Sequence, residues 1–245
     1  MSTHKKAALV AAAALALPGV ALAEDPQIPI SANLTFTTDY VFRGLSQTNE
    51  KFAVQGGFDW ESADYGIYIG TWASNVSWTS DLLAESSSVE IDAYIGWKKN
   101  WGDWGVDLGY IHFNYPGASI ANSDEIYAVG SWKWFYLGYY SIISEGYFSI
   151  QDARGSGYTL VGADYTFSNG ITIGGSYGAT RLSGNDPSIA GENSQADYDD
   201  YKVYVGYSDA IYTGLDYELA WTDTDIEGAT TIADSRVYFS ITKNF

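Results

Sequence analysis

From Ser31 to the C-terminal Phe245, segments of alternating polarity are joined by connections that are by turns short and long. The short set is Ser62 to Tyr65, Lys99 to Asp103, Lys133-Trp134, Ser168 to Gly170 and Asp209 to Tyr212. The long, polar set is Gly44 to Lys51, Ser77 to Ser87, Pro116 to Asp124, Glu145 to Gly157, Arg181 to Asp200 and Asp223 to Ser235. A soluble sandwich has no reason to keep that order, whereas a membrane barrel carries tight turns on one side and longer loops on the other. The expected fold is all-β, a transmembrane up-and-down antiparallel β-barrel of about 12 strands with short periplasmic turns, long extracellular loops and both termini in the periplasm.

The strands expected from period-two patterning run Ser31 to Arg43, Phe52 to Trp60, Gly66 to Val76, Ser88 to Lys98, Trp104 to Tyr115, Glu125 to Trp132 and Phe135 to Ser144. Five more follow: Tyr158 to Phe167, Ile171 to Thr180, Tyr201 to Ser208, Thr213 to Thr222 and Arg236 to Phe245. In the first, Ala32, Leu34, Phe36, Tyr40 and Phe42 share an apolar face, while Asn33, Thr35, Thr37, Asp39 and Arg43 share the other. Continuing the alternation directs Asp39, Arg43, Gln55, Glu90, Asp92, Asp107, Asp164, Lys202, Asp216, Glu218 and Arg236 into the lumen as candidate pore-lining residues. Arginine or lysine facing lipid near the midplane costs ~2 to 4 kcal/mol, so the sorting of charge onto one parity supports the assignment.

Residues 1–23 read as a cleaved secretory signal peptide: His4, Lys5 and Lys6, an apolar run from Ala7 to Leu17, and Ala21-Leu22-Ala23 as the cleavage site. Residues 24–30 would then be a short periplasmic segment and 31–245 the barrel. Removing the leader takes the basic count from 12 to 10 against 30 acidic residues, a net charge of −20, which disfavours nucleic acid as a partner. With no cysteine, an exported chain of this length needs a real core or a closed hydrogen-bonded barrel. No later segment approaches the ~18 apolar residues of a membrane helix. Aromatic residues make up 16% of the chain, with Tyr 21 and Trp 9, which suits aromatic girdles. Trp60, Trp97, Trp101, Trp104, Trp132 and Trp134 sit beside the short connections and form the expected inner girdle. The last strand places Val237, Phe239, Ile241 and Phe245 on one face, interrupted by Lys243, with Phe245 as the expected signal for outer-membrane assembly.

The stretch SANLTFTTDYVFRGLSQTNEKFAVQGGFDW, followed by GIYIGTWASNV, resembles the opening of the Gcw_chp family, also called TorF-family candidate porins. VEIDAYIGW, NYPG, DEIYAVGSW, SNGITIGGSYG, DYKVYVGYS and SITKNF continue the resemblance in order over nearly all of residues 31–245. It implies an exported outer-membrane barrel of Gram-negative bacteria that forms a pore, and it implies no catalytic or ligand-binding residue.

Two functions stay open on the residues. One is a porin for small hydrophilic solutes, with the acidic lumen favouring cations. The other is a closed, side-chain-filled barrel with a structural or surface-interaction role through acidic outer loops such as Arg181 to Asp200. Gly56, Gly57, Gly96, Gly109, Gly138, Gly162, Gly174 and Gly178 give the wall little bulk, which leaves room for a narrow water path or marks bends and close contacts in the wall. Asp39 and Arg43, two inward positions apart, form either a charged constriction or an intrastrand ion pair. An enzyme is not expected, because the mature chain's single histidine, His112, has the parity of Trp104, Val106, Leu108 and Tyr110. The acidic runs Asp197 to Asp200 and Asp223 to Asp225, with Glu227 and Asp234 nearby, lack the spacing of a dedicated metal site, so neither metal nor cofactor is expected. Expected partners are outer-membrane lipids and lipopolysaccharide, the assembly machinery with periplasmic chaperones, and the solutes themselves.

Overall fold

The computed structural model describes residues 29–62, 64–83, 86–187, 191–209, 214–226 and 231–245. The expected leader 1–23, residues 24–28 of the segment after it, residues 210–213 and Glu227 lie outside these. In chain order the elements are β1 (Ile30–Thr37), β2 (Val41–Phe42), β3 (Leu45–Ser46), β4 (Ala53–Glu61), β5 (Ile67–Asn75) and a short helix α1 (Trp78–Leu82). Then come β6 (Val89–Trp101), β7 (Trp104–Asn114), β8 (Ser123–Trp132), β9 (Phe135–Ile142), β10 (Gly157–Thr166), β11 (Ile171–Arg181), β12 (Tyr198–Asp209), β13 (Leu215–Thr224) and β14 (Arg236–Asn244).

All strands but β2 and β3 form one closed antiparallel barrel of 12, each paired to its sequence neighbours. β1 closes it by pairing with both β4 and β14. Closure leaves no free edge, so every strand's amides and carbonyls have partners along the wall. The seam ends on the C-terminal residue: Ala32 donates its amide to the Phe245 carbonyl at 3.2 Å and accepts the Phe245 amide at 2.8 Å. The Phe245 ring stays outside the wall.

Alternation decides the two faces. Phe36, Phe58, Ile69, Ile95, Leu137, Ile173, Val203 and Leu219 all point outward and are exposed, an apolar girth that suits only a lipid surface. Inside, Tyr68, Tyr94, Tyr127, Tyr136, Tyr140 and Tyr158 are buried. The tryptophans expected at the inner girdle stand at the short-turn end: Trp101 and Trp104 flank one turn, Trp132 and Trp134 another, and Trp104 and Trp132 lie ring to ring at 5.9 Å. Trp60 ends β4 beside a third turn, and Trp97 is outward on β6, half-buried.

Several boundaries differ from expectation, among them β12, which begins at Tyr198 instead of Tyr201, and two of the differences matter most. β6 runs on to Trp101, so its turn is Gly102-Asp103 rather than Lys99 to Asp103; Gly102 takes φ +65°, which lets so short a connection close. More consequentially, β1 ends at Thr37 instead of Arg43. Its partners run out there, at Ala53 on one side and Ser240 on the other, and the Thr37 hydroxyl turns back to the Asp39 carbonyl at 2.7 Å. The chain then leaves the wall and folds into the lumen.

Candidate functional site

The inward segment is a small hairpin. Val41 pairs with Ser46 and Phe42 with Leu45, leaving Arg43-Gly44 as a two-residue tip. Both tip residues have positive φ, 47° and 79°, the arrangement of a type I′ turn. Arginine is strained there, and such a backbone persists when its surroundings over-determine it. Gly44 is required for a second reason: a Cβ on it would lie 2.8 Å from the Cβ of Asp200 and 2.6 Å from a Thr224 methyl, so the tip rests on the wall at β12 and β13.

Arg43 supplies the over-determination. Its guanidinium donates to both Glu125 carboxylate oxygens at 2.7 Å and to the Tyr147 hydroxyl at 2.7 Å, with the two side chains of the ion pair 1% and 0% exposed. It also stacks 4.1 Å from the Tyr158 ring centre. Burial works against the guanidinium's charge, and the Glu125 carboxylate together with Tyr147 and Tyr158 more than offsets it, so the Arg43 pKa stands above its ordinary value. The Tyr147 hydroxyl is pushed up to about 12, chiefly by burial. At the hairpin's base, Asp39 accepts from Ser46 at 2.6 Å, Thr48 at 2.8 Å and Arg236 at 3.3 Å. Asp39 and Arg43 are therefore neither an intrastrand pair nor on one strand; each is held by a different part of the barrel.

Tyr40 and Phe42, expected on the apolar outer face, are buried in the lumen because β1 has ended before them. Tyr40 donates to Glu90 at 3.1 Å, and Phe42 packs edge-on against Phe113 and against Phe148 of the connection after β9. Trp78 and Tyr115 join Phe148 in the same cluster. The long-loop end of the lumen is thus filled by the hairpin, an aromatic cluster and buried ion pairs.

Below this level the wall has a repeated chemistry. Tyr68 donates to Asp107, Tyr94 to Asp59 and Tyr204 to Asp164, each at 2.6 Å. Tyr68 also hydrogen-bonds Tyr127. These rings lie flat on neighbouring glycines: Tyr68 covers Gly96, Tyr127 covers Gly109, Tyr136 covers Gly162 and Tyr204 covers Gly174. A ring can lie so close to the backbone only where the residue beneath has no Cβ. The inward glycines are therefore seats for tyrosines, and the room they leave is occupied.

The lumen is consequently lopsided. On the side of β4 to β8 it is filled: Glu90 accepts from Tyr40 and from Tyr115 at 2.9 Å, Asp92 is buried next to it on the same face, and Asp107 is bound by Tyr68. On the side of β1 and β11 to β14 a cavity of about 300 Å³ remains. It reaches from the hairpin, at Asp39, Arg43, Gly44 and Asp200, to Ser208, Asp216 and Thr242 near the short-turn end. Its lining mixes ring and aliphatic surface, such as Phe42, Trp72 and Leu160, with hydroxyls, Gln55 and carboxylates, and Lys202 is bonded to Glu218 at 2.8 Å.

Of the residues expected in the lumen, Asp39, Arg43, Gln55, Lys202, Asp216 and Glu218 line this cavity. Glu90, Asp92 and Asp107 belong to the filled side, Asp164 sits behind Tyr204, and Arg236 is buried against Asp39. Glu125 and Asp200 are the main residues the patterning missed. By patterning, Glu125 only opens the strand Glu125 to Trp132 and Asp200 only closes the connection Arg181 to Asp200. His112 lies on the outward face, bonded to Asp124 at 2.8 Å beside Tyr110. Among the described residues, no group of three or more His, Cys, Asp or Glu has the arrangement of a metal site.

Closed wall, apolar exterior and polar interior define a transmembrane β-barrel of porin architecture. Solved structures agree on the fold. The KdgM porin aligns with TM-score 0.55 at 8% identity, over 88% of this chain and 98% of its own. The same porin in complex with disordered oligogalacturonate gives 0.54 at 9%, over 88% and 99%. No curated protein matches. The chain belongs to the Gcw_chp family, described as "Bacterial protein of unknown function", whose model matches residues 22–245.

Proposed function

We propose that the protein is an outer-membrane channel for small hydrophilic solutes, preferring cations and neutral molecules over anions. The observation that carries this reading is the cavity of about 300 Å³, lined in part by charged and hydroxyl groups, running from the hairpin to the short-turn end. A barrel serving only as a scaffold would gain by filling that side as it fills the other. Asp39, Asp200, Asp216 and Glu218 outnumber Arg43 and Lys202 in its lining, and carboxylates facing water in a narrow path favour cations. The same surplus argues against a polyanion such as the oligogalacturonate bound by the KdgM porin.

The test is single-channel conductance of the refolded chain in a planar bilayer under a potassium chloride gradient. Stable conductance with a cation-side reversal potential is expected, moving towards the chloride side in Asp216→Asn/Glu218→Gln, where Lys202 loses its partner. An unmoved reversal potential removes the selectivity. Silence from inserted, folded protein removes the channel and leaves the second reading, a closed barrel, which the buried hairpin and its ion pairs favour.

A further inference from the structure

The cavity stops at one element. At the long-loop end the cavity is lined by Asp39 to Gly44 of the segment Thr38 to Lys51, whose two strands form a sheet of their own and share no ladder with the barrel. The hairpin is held by side chains: Arg43 on Glu125, Asp39 on Arg236, and Tyr40 on Glu90. A backbone attachment at its far end is the Gln47 carbonyl, which accepts the amides of Ser77 at 2.8 Å and Trp78 at 3.2 Å. A body fastened this way moves as a unit when its fastenings are released, without opening the wall.

We propose that this hairpin is the constriction of the channel, that the Arg43–Glu125 pair is its latch, and that release of the latch joins the cavity to the long-loop end. The proposal rests on the channel reading above and adds to it which residues limit passage. The latch is specific in chemistry: a planar guanidinium in a two-point grip on one carboxylate, which neither lysine nor a neutral amide reproduces. It is also specific in place. Glu125 is close to the long-loop end of β8, while Gly44 rests against Asp200 and Thr224 of β12 and β13, so the hairpin with its Arg43 side chain reaches across the lumen instead of lining one side.

The experiment compares three forms of the full mature chain in planar bilayers with potassium chloride as the probe: the native sequence, the pair Arg43→Gln/Glu125→Gln, and a form in which residues 39–50 are replaced by a short glycine linker. Insertion and folding are checked beforehand by the mobility difference between heated and unheated samples on gels. A control pair, Arg181→Gln/Asp199→Asn, removes an ion pair of 2.6 Å on the outward side of the rim. The expected result is roughly threefold or greater conductance in both hairpin variants, since removing an inward plug widens the lumen of a barrel of this size. The control should conduct as the native chain does. Conductance in the native form with no change in the pair or the linker form overturns the constriction and leaves the channel intact. Silence in all folded forms overturns both. Should the linker form fail to fold, the Gln pair decides alone.

Discussion

Glu125→Leu leaves the Arg43 guanidinium buried without its carboxylate. The pair is 1% and 0% exposed, so no solvent screening discounts the loss, and breaking a buried pair from one side costs ~3 to 5 kcal/mol. Tyr147 and the Tyr158 ring still face the cation, the latter contact being worth up to about 2 kcal/mol, which places the cost near the low end, about 3 kcal/mol. Arg43→Met has a similar cost, because the carboxylate is then stranded instead. The double variant strands neither group and puts apolar bulk in both places, whereas two glutamines would leave buried amides without the two-point grip and keep the hairpin released, so the Met/Leu double variant should lie within about 1 kcal/mol of the native chain. What the pair holds is the hairpin, so the readout belongs there: hydrogen exchange of the Gln47 amide, which is bonded to the Tyr40 carbonyl at 2.7 Å. A cost of about 3 kcal/mol raises the population of the opened hairpin roughly 150-fold. Each single variant should therefore exchange at Gln47 roughly 100-fold faster while the Val203 amide in the wall is unchanged, and the double variant should return most of the protection. Singles without effect, or a double variant whose loss is the sum of both, would show that the pair does not fasten the hairpin.

Val203 is exposed and pairs with Gly175 and Trp221 midway along its strands, whereas Gln55 lines the cavity; Val203→Arg should lower barrel stability by ~2 to 4 kcal/mol in vesicle unfolding by urea and Gln55→Arg by far less, and equal losses would invert the face assignment. Gly44→Ala meets both a φ of 79° and the Asp200 and Thr224 side chains, so Gln47 exchange should show the hairpin weakened by about 1 to 3 kcal/mol; unchanged exchange would mean the tip does not touch the wall. The Tyr147 hydroxyl is raised by burial, against the pull of Arg43, from the ordinary tyrosine value to about 12, so the stability contributed by the buried neutral phenol is fully present below pH 10 and is lost as pH rises through about 12. Near-ultraviolet circular dichroism should show an alkaline transition in that window that Tyr147→Phe diminishes, and an identical transition in the variant would assign it to other tyrosines. Deleting Phe245 removes both backbone bonds to Ala32 at the seam, and slower barrel closure on refolding is expected; native refolding kinetics would show that the last rung plays no part in closing it.

The wall was legible because everything that specifies it is local. A period of two, a turn, and the length of the next connection are each written within about ten residues, and the closing pair of β1 and β14 follows from an even count. The hairpin was not, and the reason lies in Tyr40 and Phe42. They keep the parity of Leu34 and Phe36, so an alternation count reads straight through the point where β1 loses its partners. A signal was present in Arg43-Gly44, a dipeptide with glycine where a type I′ turn needs it, flanked by Val41-Phe42 and Leu45. What could not be read is why arginine occupies the strained position, since its reason is Glu125, 82 residues away.

The same distinction between local and cross-strand information governs the interior. Part of the tyrosine excess read as girdle material is inward filling, while Tyr139, Tyr165, Tyr201 and Tyr207 stay exposed, because each role depends on which glycine the register places beneath the ring: Gly96 under Tyr68, Gly162 under Tyr136, Gly174 under Tyr204. Each pairing needs two strands in the correct register, and a slip by one residue would turn the ring to lipid and the glycine's neighbour into the lumen. Once seated, the ring presents its hydroxyl to a carboxylate, as Tyr204 does to Asp164, so the device that fills the barrel also holds its charges in place. It follows that the acidic residues with and without such a partner differ in role. Asp59, Asp107 and Asp164 are fixed by phenols as parts of the wall, while Asp216 and Glu218, bonded to Asn244 and Lys202, face the remaining cavity and are the carboxylates on which passage of a cation would depend.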